Sequence, residues 1–206
     1  QRDIRASEDW RIFSDSRPKN VKAIPGWGGL QIVGSAIPSI QALMHEANSS
    51  IKNSYPSARL TLGSAYRPFE WQAAQWDINL LKYHNRIKST YPLQESNTER
   101  YSDEAVCELR DYTSKRFGFP GYSNHQSGRA VDFHSVDSHG YEWSASTDQK
   151  NMKGWCASPA YMWLRRNAYR FGFVQNMHIN EPWHWEYDPL RAKNLNNRKF
   201  IAPICH

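Results

Sequence analysis

Two short stretches of this 206-residue chain concentrate side chains able to hold a metal ion. The first runs Ser123-Asn124-His125-Gln126-Ser127-Gly128-Arg129-Ala130-Val131-Asp132 and offers an imidazole and a carboxylate on either side of Gly128. The second, Glu181-Pro182-Trp183-His184, offers another carboxylate and another imidazole. A catalytic zinc ion takes three N or O ligands and keeps a fourth position open, so His125, Asp132 and His184 make such a set and Glu181 is left over as a base. Two neutral imidazoles and one carboxylate leave the ion a net charge of about +1, enough to draw the pKa of a water on it toward ~7. With 8 His in the chain, the residues alone also admit a plainer reading, in which each His is a hydrogen-bonded surface or core residue. Competing catalytic signatures are missing: there is no HExxH helix, GxSxG elbow, GxxxxGK[ST] loop or GxGxxG turn.

Ligands drawn from separate segments need a scaffold, and the periodicity supplies one. Ile37, Ile40, Leu43, Met44, Ala47 and Ile51 recur at three- and four-residue spacing, which puts one apolar stripe on a helix starting near Pro38. Leu60 and Leu62 alternate with polar neighbours on the way to Tyr66, as in a half-buried strand, and Phe69 to Tyr83 reads as a second helix. A third helix starts near Ser102 and Asp103. Residues 115–124, rich in Gly, Pro and aromatics, form a loop that feeds a strand from Arg129 to His134. Further on, Ser158 is an N-cap, Pro159 suits the first helical position, and Ala160, Trp163, Leu164, Ala168 and Phe171 share a face. Gly172 then supplies the left-handed residue that ends the helix.

Phe173 and Val174 begin one strand and Trp183 to Tyr187 another. His184 then lies between two tryptophans that face the opposite way and pack the ligand in place. Helices and short strands without a βαβ rhythm predict an α+β fold with a small antiparallel sheet and flanking helices. Residues 1–34, with Pro18, Pro25, Gly26, Gly28 and Gly29, are expected as an irregular N-terminal arm. Residues 35–206 are expected as the domain carrying the site, with no linker long enough to divide the chain.

Lys and Arg number 26 against 20 Asp and Glu, a net charge of +6, and the pI is near 9.2. That balance favours polyanionic surroundings such as nucleic acid, anionic lipid or an acidic cell wall. No nucleic-acid-binding motif accompanies the charge, so it reads as a solvated basic face or as attraction to an anionic wall. Mean hydropathy is −0.79, and no apolar run approaches the ~18 residues a spanning helix needs. Cys107, Cys156 and Cys205 allow one disulfide at most, and without a CxxC pair they make no zinc knuckle. Position 1 is Gln rather than Met, with no basic-then-apolar leader before the domain, which fits either removal of a signal peptide or a trimmed chain and so permits export. His134 and His139 lack the rest of a ligand set and are expected to be solvated or locally hydrogen-bonded.

The motifs, taken together, resemble those of a known family. The stretch from Ser123 to Asp132 matches SxHxxGxAxD, Glu181 to His184 matches ExxH, and Ser64-Ala65-Tyr66-Arg67 followed by Gln72 matches an S-x-Y-R…Q element. They occur in the order found in D-alanyl-D-alanine metallopeptidases. Pro120-Gly121-Tyr122-Ser123 and the run from Trp163 to Phe173 extend the likeness over residues 35 to 190. The sequence resembles the vancomycin-resistance type of D,D-carboxypeptidase, in the group that also holds lysostaphin-like peptidases and the hedgehog signalling domain. A hedgehog/D-Ala-D-Ala peptidase-like fold is what this implies.

By resemblance, His125, Asp132 and His184 are ligands of one Zn2+ ion and Glu181 is the general base. Arg67 stabilises the oxyanion or holds a substrate carbonyl, a task suited to a permanent charge with donors fixed in a plane. Ser123 and Gln72 fall at positions near the substrate. The sequence departs from the pattern at Pro68, where Ser often follows the Arg, and in a short connection over residues 176–180 before the base. The expected function is a zinc-dependent peptidoglycan peptidase, a D-alanyl-D-alanine carboxypeptidase acting through metal-activated water. An endopeptidase cutting D,D cross-links or L-Ala-D-Glu bonds, as a lysin or antibacterial effector, is the alternative within the class. A non-catalytic zinc-containing cell-wall binding module is the alternative outside it. The expected partners are peptidoglycan stem peptides, with no nucleic acid, no membrane span and a monomeric state, in the periplasm or secreted to the bacterial cell envelope.

Overall fold

The computed structural model describes residues 18, 20–90, 102–114 and 118–195. The first part of the expected arm, residues 115–117 of the expected loop, and Cys205 lie outside them. In chain order the elements are β1 (Val21–Ala23), β2 (Gln31–Val33), α1 (Ile37–Ser54), β3 (Arg59–Ser64), α2 (Phe69–Thr90), α3 (Asp103–Ser114), β4 (Ala130–Val136), β5 (Glu142–Trp143), α4 (Gln149–Ala157), α5 (Pro159–Asn167), β6 (Phe173–Gln175), β7 (His184–Tyr187) and α6 (Pro189–Leu195). They divide into two compact units. One runs from Arg67 to Gln126, and the other takes Pro18 to Tyr66 together with the chain from Ser127 onward.

The larger unit is built on an antiparallel sheet of order β3-β4-β7-β6. β4 lies inside it: β3 pairs along one edge, while β7 pairs with Ala130–Asp132 and β5 with Ser135–Val136 on the other. Alternation sends Val131 and Phe133 of β4 and Trp185 of β7 into the apolar core, all with no exposure, and turns Asp132 and His184 to the other face. The predicted stripe on α1 packs on the core side: Ile40, Leu43, Met44, Ala47 and Ile51 are buried, the large ones contributing about 1.5–3 kcal/mol each. Asn48, on the same helix, accepts from Leu60 N at 2.8 Å and donates to Leu60 O at 3.0 Å. Its amide therefore stands in for a neighbouring strand and blunts the free edge of β3.

Gly63 marks a bulge between Leu62 and Ser64. A Cβ there would lie 2.1 Å from Nε2 of His134, so only glycine admits that imidazole. The ring is held by Oε1 of Glu142 at 2.7 Å, which bears out the reading of His134 as locally hydrogen-bonded.

Ser158 Oγ accepts from Tyr161 N at 3.1 Å, and a 3₁₀ turn after α5 ends at Gly172 with φ +78°, as predicted for that helix. The arm is more ordered than expected over its described part. β1 and β2 pair as a hairpin that buries Ile24 and Ile32, because the turn glycines at 26, 28 and 29 take the positive φ values that let so short a ribbon reverse.

The smaller unit pairs α2 with α3. Ala105 and Leu109 are buried against Leu80 and Tyr83, and Ser102 Oγ caps the start of α3 by accepting from Ala105 N at 3.2 Å. Trp76 of α2 packs on Phe119, with ring centroids 4.3 Å apart, and so ties the loop after α3 to the helix. No described helix is long and apolar enough to cross a membrane.

Candidate metal centre

Asp132 and His184 are directly opposite each other on β4 and β7, so the sheet register alone makes them neighbours. Oδ1 of Asp132 lies 3.0 Å from Nδ1 of His184, and both residues are almost fully buried, at 4% and 5% exposure. The other ring nitrogen, Nε2, lies 3.3 Å from Oε1 of Glu186, two residues along the same strand and hence on the same face. Asn176 Nδ2 donates to that carboxylate oxygen at 2.8 Å. Burial by itself would lower the His184 pKa; the hydrogen bonds with Asp132 and Glu186, helped by the charges of Asp132 and Glu181, raise it instead from 6.5 to about 9.

The strand begins at His184 rather than Trp183. His184 N donates to Glu181 O at 3.1 Å, so residues 181–184 form a turn that holds the half-buried Glu181 close to His184. Trp183 and Trp185 are both buried, and Trp185 Nε1 donates to Pro182 O at 3.1 Å, fixing the turn from the core side.

In the smaller unit, short hydrogen bonds shape the 118–126 loop. Gln126 N donates to Ser123 O at 2.9 Å, and Gly121 N donates to Gln126 Oε1 at 2.7 Å. Arg67 N donates to His125 O at 3.3 Å, which sets the start of the Arg67 segment beside the ligand loop. The Arg67 guanidinium lies 5.5 Å from the ring centre of Trp71, within cation–π range. Ser123 is half-buried. Gln72 is 1% exposed, with Nε2 donating to Gly118 O at 2.6 Å.

Among the described residues, His125, Asp132 and His184 form the one group of His, Cys, Asp or Glu side chains able to hold a metal ion. All three are buried, and their ligand atoms lie within 4.8 Å of one another. Ligand atoms sharing a tetrahedral ion at about 2.0–2.1 Å sit roughly 3.3 Å apart, so the donor set and its spacing suit zinc. Glu186 and Asn176 escaped the sequence reading. The signal for Glu186 was present, since a strand places its residue i+2 on the same face as a ligand at i; Asn176 carries no such mark.

The fold and the buried His-Asp-His group define a small α+β protein of the metallopeptidase kind. The VanY family profile, D-alanyl-D-alanine carboxypeptidase, matches residues 35–190, and the chain belongs to that family. A D-alanyl-D-alanine carboxypeptidase of Enterococcus faecalis is 31% identical over 132 residues, a match covering 52% of this chain and 44% of the relative. The chain thus aligns with less than half of that relative's length.

Among solved structures, a vancomycin-resistance D,D-pentapeptidase VanY from a VanB-type cassette, a variant in complex with Zn(II), superposes with a TM-score of 0.58 at 22% identity. That match covers 90% of this chain and 88% of the other. VanYB in complex with D-alanine-D-alanine gives 0.57 at 22% identity, covering 88% and 84%. The LdcB LD-carboxypeptidase gives 0.60 at 20% identity, covering 91% and 77%. These likenesses establish the fold, and the α+β expectation with its small antiparallel sheet is borne out.

Proposed function

We propose that this protein is a zinc-dependent D-alanyl-D-alanine carboxypeptidase acting on peptidoglycan stem peptides. The observation that carries the reading is the convergence of His125, Asp132 and His184, buried and within 4.8 Å of one another, in a chain of the VanY family. These three side chains hold the ion. Zinc in such a site acts as a Lewis acid and makes water a nucleophile near neutral pH.

The other roles fall to the chain's own groups. Glu181, beside His184, takes the proton of the attacking water and returns it to the leaving amine. Arg67 meets the negative charge that develops on the scissile carbonyl oxygen, and its stacking on Trp71 keeps the guanidinium oriented. Ser123 lies on the substrate side of the site, and Gln72, through its bond to Gly118 O, supports the loop that carries it. The compartment that suits the reading is the periplasm or the cell exterior, and the disulfide at Cys156 supports it because such bonds persist under oxidising conditions.

Two measurements test the proposal. Glu181→Ala should keep its zinc and lose turnover; a variant that cleaves muropeptides at the wild-type rate overturns the assignment of the base. Mass spectrometry of digested muropeptides should show loss of a single D-alanine. Halved cross-linked dimers or released stems would instead identify an endopeptidase, and zinc without any product a binding module.

A further inference from the structure

Both nitrogens of His184 are engaged, and they are engaged differently. Nδ1 faces Oδ1 of Asp132 at 3.0 Å, the residue with which it would share an ion, so the ion belongs on the Nδ1 side of the ring. Nε2 points to the opposite side and meets Oε1 of Glu186 at 3.3 Å. A carboxylate only accepts, so this contact needs a hydrogen on Nε2, and the contact with Asp132 needs one on Nδ1 that an ion would replace.

We infer that Glu186 is a positioning residue for the metal centre: it accepts the Nε2 hydrogen of His184 and so holds the imidazole in the tautomer that leaves the Nδ1 lone pair free for the ion. The inference rests on the zinc reading above and adds to it a residue outside the ligand set.

The surroundings are built for this task. Glu186 pairs across the sheet with Ala130 on one side and Val174 on the other. Its own side chain is 14% exposed and that of His184 7%, so water exchanges poorly into the contact. Asn176, directly after β6, donates from Nδ2 to Glu186 Oε1 at 2.8 Å, while its own Oδ1 accepts from His178 N at 3.0 Å. That second bond fixes which way the amide points. The connection over residues 176–180 therefore anchors Glu186, which in turn anchors the ligand ring. Carboxylates in this relation to a metal-bound histidine set its tautomer and ring orientation and strengthen it as a ligand.

The test compares zinc affinity of the full chain by competition with a chromophoric chelator, for wild type, Glu186→Ala and Glu186→Gln, together with the visible spectra of their Co(II) forms. Glu186→Ala should bind zinc ~10- to 100-fold more weakly with an unchanged coordination number. Glu186→Gln should recover most of the loss, because its carbonyl oxygen still accepts the Nε2 hydrogen. Should Glu186→Ala fail to fold, Glu186→Asp, one methylene short of the ring, carries the same expectation of weakened binding.

Wild-type affinity in Glu186→Ala overturns the inference, and so does a Glu186→Gln variant as weak as the alanine. A lowered coordination number in the Co(II) spectrum also overturns it, by making Glu186 a ligand. A wild-type chain that binds no zinc fails the underlying reading instead, which separates the two.

Discussion

The two compact units place their functional side chains by different physics. In the larger one, Asp132, His184 and Glu186 stand on paired strands whose opposite faces, Val131, Phe133 and Trp185, are fully buried in an extensive apolar core. A one-residue slip of β7 against β4 would turn His184 inward and Trp185 outward, so hydrophobic burial enforces the register that sets His184 opposite Asp132. In the smaller unit the described apolar burial is thinner: Ala105 and Leu109 with Leu80 and Tyr83 packed on them, and Trp76 against Phe119. There, His125, Ser123 and Arg67 depend on loop hydrogen bonds such as Arg67 N to His125 O. Candidate site residues on a well-buried sheet and on a loop tied by local hydrogen bonds should respond differently to damage.

The largest effect should come from the sheet side. Trp185→Ala removes a fully buried ring and the donor to Pro182 O, and should cost about 3–5 kcal/mol in denaturant unfolding. Leu109→Ala in the smaller unit should fall near the low end of the range for such truncations, about 2 kcal/mol, because a thin cluster can collapse around the gap. Equal costs for the two substitutions would remove the contrast.

Next comes the pH dependence of the centre itself. Without metal, the His184 pKa lies near 9 against 6.5 when unfolded. A raised folded-state pKa gives stability that is complete below the unfolded value, so the metal-free protein should lose that contribution as pH rises through about 9. Zinc must displace the Nδ1 proton, so its apparent affinity should run the other way, rising ~tenfold per unit from pH 7 toward 9 and then levelling. Chelator competition across that range checks it, and a flat profile breaks it.

How far the sequence disclosed this arrangement follows the same division. The stripe on α1, the Ser158 cap, the Gly172 terminus and the alternation in β3 and around β7 were legible because burial or backbone geometry imposes a period or a residue type on each. α4 went unread, and Gly154 within it is a weak helix former. The structure uses the missing side chain to admit the Trp143 ring, to which a Cβ would come within 2.4 Å. β1, β2 and β5 span two or three residues each, too few for any period to register. The ligand candidates were legible as residue types in a motif, whereas the Asn176–Glu186–His184 chain was not, since a contact between β7 and the connection after β6 depends on the folded sheet.

The smallest effect separates two roles for Gln72, read from the sequence as close to the substrate. Its side chain is 1% exposed, and its amide nitrogen is spent on Gly118 O at 2.6 Å, at the start of the loop that carries Ser123 and His125. A group so placed acts on the loop before it acts on any ligand. Gln72→Leu keeps the volume and deletes the donor, and should cost about 1 kcal/mol of stability. Amide hydrogen exchange at Gly121 and Gln126, whose bonds shape the same loop, should quicken with it. KM for a stem peptide should then shift by only a few fold. Unchanged stability and exchange, with KM raised by ~tenfold or more, would return Gln72 to the substrate and show that this loop holds its shape without it.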